Sequence, residues 1–406
     1  MDCLIENARL IGQETLCQIG IDEGRISFVG EKASEESESK IDAKGNLVLP
    51  TFIEPHIHLD KVLLSEKLKE ANSISEARQM VREAKRGFSV DEIKDRASRV
   101  IPWALQNGVT IIRTHLDVDS SVKTRSIEAI LQLEKKYRNV LDLQIVAFPQ
   151  EGIIKDSEVP ELLRSAVDLG ATVLGGLPES ELSEDNARKH IDFLFVLAKQ
   201  MDVDIDIHCD VIPGFKNIEY FASSVLKNNY QNRSTADHLI ALSYYDEEYA
   251  SRIITRIKEA SINVISNPCT MMSSGSSPRV PQARGITLVR DLVRAGVNVS
   301  FGSDNVIDPY NPLGDLNPLS NGFLLAYGAQ MSSLSELETI IKMPTYFAAK
   351  TLRLRDYGLN VGDNADINIF SDSTPREILR KHGKPVLVIK RGKIIVQNKL
   401  ETEYRF

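Results

Sequence analysis

The sequence predicts an α/β protein, a (β/α)8 TIM-type barrel with a small β-sandwich domain formed by both chain ends. Three observations predict it. Apolar strand-like runs alternate with amphipathic helix-like runs through the middle of the chain, and eight such strands are present. Glycines close helices just before strands, at Gly108, Gly170 and Gly296. The two ends differ from the middle in being rich in short strands and turns, and their simplest arrangement is to pair with each other. The expected division is residues 1–50 plus 356–406 for the small domain and 51–355 for the barrel.

The elements follow in order. QIGIDEGRISFVG is two β-rich runs around a turn at Glu23 and Gly24, and KIDAKGNLVLP is another run with a turn at Lys44-Gly45. The barrel strands are TFIEPHIHL (51–59), TIIRTHLDV (110–118), DLQIVAFPQ (142–150) and ATVLGGLP (171–178), then VDIDIHCD (203–210), STADHLI (234–240), INVISNP (262–268) and NVSFGSD (298–304). Helical stretches between them include DEIKDRASRVIPWALQNG, SIEAILQLEKKY and DEEYASRIITRIKEAS, with Trp103 expected in the core. SSGSSP (273–278) is the most loop-like stretch. ADINIF (365–370) alternates, and VLVIKRGKIIVQ (386–397) is a hairpin turning at Arg391-Gly392.

Composition narrows the class. Of 406 residues, 42% are hydrophobic and 26% charged, which excludes disordered and fibrous chains. The net charge of −8, without a basic patch, argues against nucleic acid or an anionic membrane as partner. No apolar run of about 18 residues is present to span a bilayer. MDCLIENARLIG shows no basic segment leading into an apolar one, so a cytoplasmic protein is expected. Four cysteines, Cys3, Cys17, Cys209 and Cys269, are scattered and read as reduced, buried thiols.

Barrel active sites lie at the C-terminal ends of the strands. Five of the seven histidines fall in strand candidates: His56, His58, His115, His208 and His238. His190 and His382 fall on a polar helix and a polar loop and read as solvated. His56 and His58, two apart on a strand, share a face. Imidazole suits zinc or iron, and catalytic sites use about three protein ligands plus water. His208 and Asp304 end the fifth and eighth strands and complete a candidate set, the alternative for Asp304 being the N-cap of the next helix. Asp206 and Asp210 share the face of His208. His238 is placed to polarise a carbonyl or hold a water. His115 reads as structural as readily as functional.

These residues carry a resemblance. EPHIHLDK (54–61), RTHLDVD (113–119), LQIVAFPQEGI (143–153), IDIHCD (205–210), ARGITLVRDLVRAGVNVSFGSDN (283–305), DPYNPLG (308–314) and YGLNVGDNADINIF (357–370) resemble the cytosine deaminase branch of the amidohydrolase superfamily, which includes triazine-ring aminohydrolases. The resemblance spans nearly the whole chain. It implies one divalent ion, zinc or iron, held by His56, His58, His208 and Asp304. His238 matches the histidine that holds the water and polarises the substrate, and Gln150 the glutamine that reads a cyclic amide edge. Ile74 falls where an apolar lid residue covers the ring. Asn305 and Tyr310 fall where cytosine deaminase has an aspartate and a tryptophan. The implied substrate is a small nitrogen heterocycle. Members of this branch often assemble as homo-oligomers, but no interface is readable here.

One departure matters most. Cytosine deaminase reads HCDE at the fifth strand, and this chain reads HCDV, with Val211 where the proton-shuttling glutamate stands. Valine holds no proton, and such acid–base help contributes typically about 10² to 10⁴-fold. Three readings follow. A deaminase-like hydrolase releases ammonia or an amine from a cyclic amidine, with Asp210 as the nearest replacement acid. An amidase or ring-opening hydrolase uses Asp304 alone as acid and base. A metal- and ligand-binding protein does little chemistry. In the loop NPCTMMSSGSSPRVPQARG (267–285), Met271 and Met272 are candidates for a flexible apolar wall.

Overall fold

The computed structural model describes residues 1–33, 36–69, 71, 73–211, 213–274, 285–399 and 403. Five strands come first: β1 Cys3–Ala8, β2 Cys17–Asp22, β3 Arg25–Gly30, β4 Ser39–Asp42 and β5 Val48–Pro50. Eight barrel strands follow: β6 Phe52–Ile57, β7 Val109–Asp117, β8 Asp142–Phe148, β9 Val173–Gly176, β10 Asp204–Cys209, β11 Ser234–His238, β12 Asn263–Ser266 and β13 Val299–Phe301. The last three are β14 Ile367–Ile369, β15 Leu387–Lys390 and β16 Lys393–Gln397.

The eight middle strands form one sheet in sequential order, and every pairing within it is parallel. Every residue of β6 and β7 is buried, as a parallel strand covered on both faces requires. Helices such as Val90–Gln106, Arg125–Tyr137 and Glu247–Glu259 cover the outside with their apolar faces. The three glycines expected before strands all have positive φ: 81° at Gly108, 136° at Gly170 and 78° at Gly296. The barrel closes between β13 and β6. Asp304 N–H donates to the His56 carbonyl at 2.8 Å, and His58 N–H donates to the Asp304 carbonyl at 3.0 Å. Closure thus joins the backbones of three polar site candidates. Gly302 permits it, because a Cβ there would lie 2.8 Å from the His56 carbonyl oxygen.

The two chain ends build the small domain from two four-stranded sheets, ordered β3-β2-β1-β4 and β16-β15-β14-β5. The run KIDAKGNLVLP divides between them: β4 pairs with β1, whereas β5 crosses to pair with β14. Ile5, Ile19 and Ile21 of one sheet and Val48, Ile367 and Ile389 of the other share one core. Trp103 is only half-buried, against the barrel core. All four cysteines are free thiols, and Cys269 is half-buried where the others are buried. No helix among the described residues is long and apolar enough to cross a membrane.

Candidate active site

His56, His58, His208, His238 and Asp304 converge, all buried, at the C-terminal ends of the barrel strands. The Nε2 atoms of His56 and His58 lie 3.4 and 3.3 Å from Asp304 Oδ1, and His58 Nε2 lies 3.3 Å from His208 Nε2. Ligands about 2.0–2.1 Å from a tetrahedral ion stand about 3.3–3.4 Å apart, so these separations fit a zinc-like ion. Donor atoms of His56, His208, His238 and Asp304 also lie within 4.8 Å of one another.

The tautomers suit metal binding. His58 Nδ1 stands 3.1 Å from the His115 carbonyl, to which it donates, so its Nε2 lone pair faces the cluster. Asp237 Oδ2 stands behind, 2.9 Å from His56 Nδ1 and 3.6 Å from His208 Nδ1. Burial alone opposes charge on His56, but Asp237 and Asp304 outweigh it and raise its pKa to about 10. The same field would favour a bound cation. The Asp304 carboxyl, despite burial that pushes it up, is held well below the ordinary range by His56 and His58. His115 lies directly behind His56, with ring centroids 4.0 Å apart, so the structure brings it into the cluster. His56, His115, His208 and Asp237 form a second close group, but it shares two members with the first. Asp206 turns inward to Arg113 at 2.7 Å.

Burial pushes the His238 imidazole down to about 3, so it is neutral. Its Nδ1 meets the Asn267 amide nitrogen at 3.2 Å, which places the ring proton on Nε2. His238 and Asp304 have left-handed backbone, with φ of 70° and 60°. Such strain is held at functional positions by surrounding structure.

The pocket above the cluster is lined by His58, Gln150, Val211, His238, Asp304, Asn305 and Tyr310, among others. Lys61, which sequence reasoning used only as part of a motif, also lines it. This buried lysine pairs with Asp117 at 2.8 Å and bonds the Gln150 side-chain oxygen. Gln150 Nε2 in turn donates to the Tyr310 hydroxyl at 3.3 Å. The Asn305 amide donates to Asp308, which leaves its carbonyl oxygen for the pocket. Asn305 therefore presents an acceptor to the pocket but carries no charge.

Several expectations are corrected. Asp210 is not among the pocket-lining residues. Its φ of 49° breaks the strand alternation, and its two oxygens accept the N–H groups of Asn217 and Ile218 at 2.8 and 3.1 Å. It thus satisfies the first two N–H groups of the helix Asn217–Asn228, whose N-cap residue, Lys216, makes no side-chain cap bond. His190 is fully buried rather than solvated, bound to Glu181 at 2.8 Å. His382 is half-buried, edge-on to Phe323. Met271 lines the pocket and Met272 is exposed, while residues 275–284 lie outside the described residues. Ile74 opens the helix Ile74–Ala84, and its side chain lies outside the described residues.

Comparison with known proteins agrees with this geometry. Residues 40–396 match the amidohydrolase family. The N-isopropylammelide isopropyl amidohydrolase of Pseudomonas sp. (strain ADP) is 31% identical, over 98% of each chain. The pterin deaminase of Rhizobium rhizogenes (strain K84 / ATCC BAA-868) is 29% identical, over 88% of this chain and 82% of its own. The crystal structure of 5-methylcytosine deaminase from Klebsiella pneumoniae, liganded with 5-fluorocytosine, superposes with a TM-score of 0.94 at 32% identity, covering 99% of each chain.

Proposed function

The chain belongs to the amidohydrolase family, and on that premise we propose that it is a metal-dependent aminohydrolase of a small nitrogen heterocycle, releasing ammonia or an amine. The observation that carries the reading is the convergence of His56, His58, His208 and Asp304 beneath a pocket walled by polar side chains. These four residues would hold one divalent ion, zinc or iron. Such an ion lowers the pKa of a bound water to about 7 and so supplies a nucleophile at neutral pH.

The side chains then divide the work. Asp304 would accept the proton that the attacking water loses and return it to the departing amine. His238, neutral and protonated on Nε2, donates to the atom on which charge develops. Gln150, fixed by Lys61 and Tyr310, holds one edge of the ring in plane. Asn305 offers an acceptor to a ring N–H. Met271 and Val211 supply apolar walls that limit access of bulk water. Asp210, engaged with a helix terminus, is set aside as the acid.

A second reading rests on the pocket lining, in which Asp304 is the only carboxylate among the described residues. A single carboxylate suffices for a ring-opening hydrolase, in which Asp304 returns its proton to the leaving nitrogen. The test is ammonia release by protein loaded with zinc or iron(II), with Asp304→Asn as control. The panel is cytosine, isocytosine, 5-substituted cytosines, creatinine, aminotriazines and pterins. Release that disappears in the control and after chelation is expected. Hydrolysis of a cyclic amide without ammonia would replace the first reading by the second.

A further inference from the structure

One cation that lines the pocket lacks the carboxylate partner that its neighbours have among the described residues. Three cations and three carboxylates knit the mouth of the barrel to the segment that follows β6. Lys61 pairs with Asp117, and Lys85 pairs with Asp117 at 3.1 Å, Asp119 at 2.5 Å and Glu151 at 3.0 Å. Arg82 pairs with Glu151 at 2.7 Å. These six charges cancel. Arg78, on the same helix Ile74–Ala84, lines the pocket but has no carboxylate partner among the described residues. It is half-buried, so water screens it only in part. Its influence reaches the Tyr310 phenol, whose pKa burial raises and the guanidinium pulls back.

The hydrogen-bond groups lean the same way. Lys61 and Arg78 only donate. The Tyr310 oxygen accepts from Gln150, so its own proton is free to point into the pocket. Gln150 keeps a second amide hydrogen, and His238 presents Nε2–H. Against these donors stand the Asn305 carbonyl and Asp304, the latter committed to the cluster. Position 211 contributes only an apolar side chain. A pocket of this kind attracts a ring edge rich in acceptors and negatively charged.

Resting on the aminohydrolase reading, we propose that the substrate is an anionic amino-heterocycle. It carries an ionised ring imide or a ring carboxylate, which the Arg78 guanidinium receives, while the carbon bearing the amine faces the histidine cluster. Guanidinium matches such oxygens with paired N–H groups, which a lysine cannot reproduce.

The test uses the metal-loaded full chain, with Arg78→Ala and Arg78→Lys, and has two arms. The first measures ammonia release from cytosine, cytosine-5-carboxylate and ammelide. The second measures equilibrium binding of the corresponding oxo products, uracil, uracil-5-carboxylate and cyanurate. Wild type is expected to bind at least one anionic product ten or more times more tightly than uracil. Arg78→Ala is expected to remove that preference by raising KM rather than lowering kcat, and Arg78→Lys to restore it in part. Preference for cyanurate assigns the charge to the ring imide, and preference for the carboxylate assigns it to the substituent. Equal binding of all three products by wild type, or a preference that survives Arg78→Ala, would overturn the proposal. Charge-selective binding without ammonia release from any compound would sink the aminohydrolase reading and leave the anion preference standing.

Discussion

Val211 donates its backbone N–H to the Glu179 carboxylate at 2.6 Å. Glu179 lies in the short turn Pro178–Ser180 after β9, so a carboxylate stands behind the pocket wall, against the backbone of the position where the resemblance places a glutamate. Its carboxylate serves the backbone, and the valine side chain faces the pocket.

This pairing makes Val211→Glu informative. The introduced carboxyl would lie close to Glu179, and like charge raises the pKa of one member of such a pair. A carboxyl protonated near neutral pH is a general acid, a role that contributes about 10² to 10⁴-fold. Val211→Glu is expected to raise kcat/KM for cytosine at least tenfold. Adding Glu179→Gln should keep the gain but move the alkaline fall-off of activity to lower pH. Pre-steady-state and steady-state ammonia assays across pH check both statements, and no gain for cytosine would show that the missing acid is not what limits this site.

Asp210 gives the opposite expectation. Its oxygens are spent on the first N–H groups of the helix Asn217–Asn228, where burial raises its pKa to about 6 despite those bonds. Asp210→Ala should cost about 1–2 kcal/mol of stability, the usual worth of a cap. Turnover of the folded, metal-loaded variant should stay within a few-fold of wild type. Denaturant titration and kcat on the same preparation separate the two effects, and a collapsed kcat at intact stability would return Asp210 to the catalytic set.

Much of this was legible from periodicity. Eight apolar runs became eight strands, because a parallel strand buried on both faces must be apolar along its length. The cluster was legible too, since its histidines fall where such strands end. What escaped depends on local turns and on partners distant in sequence. Asp210 shares the face of His208 only if the strand continues, and its left-handed backbone ends that alternation. His190 reads as a surface residue on a polar helix, yet Glu181, nine residues earlier, satisfies it inside the fold. Lys61 was visible in EPHIHLDK, but its partners Asp117 and Gln150 come from the ends of two other strands. Arg78 carried no signal at all, since only the pairing of its neighbours reveals that it lacks a carboxylate partner among the described residues.

Asp237 touches no pocket space, yet it stands within 3.6 Å of His208 Nδ1 and 2.9 Å of His56 Nδ1. A carboxylate behind ligating histidines fixes their orientation and raises their basicity, and its loss typically weakens metal binding by about 10–100-fold. Asp237→Asn is therefore expected to lose metal to a competing chelator at correspondingly lower concentration. At saturating metal, most of its activity should return. Chelator competition followed by a metal-sensitive dye measures the first quantity directly, and an unchanged affinity would reduce Asp237 to core packing.

Asp308 links pH to the shape of the pocket. Burial pushes its carboxyl up from the ordinary 3.8 to about 7, against bonds from Asn305, Tyr310 and Asn311 that pull it down. Below about pH 4 the carboxyl is protonated whether the chain is folded or not. Between about pH 4 and 7 only the folded chain keeps the proton, so this group's contribution to stability declines as pH rises through that window. Asp308→Asn lacks the decline, and its stability relative to wild type should improve with pH by up to about 1.4 kcal/mol per unit. Above pH 7 the difference should be flat. The amide also has a consequence for the site. Asp308 Oδ1 accepts from Tyr310 and Asn311 at 2.9 and 3.1 Å, so the variant's carbonyl must stay there and its NH2 must face Asn305. Two NH2 groups cannot bond each other, and Asn305 would turn its amide over and present a donor to the pocket. Above pH 7, where wild-type Asp308 is ionised and accepts from the Asn305 amide, KM for a ring that offers an N–H at this edge should then rise in the variant with kcat less affected. Urea titrations at several pH values test the first expectation, and substrate saturation curves the second.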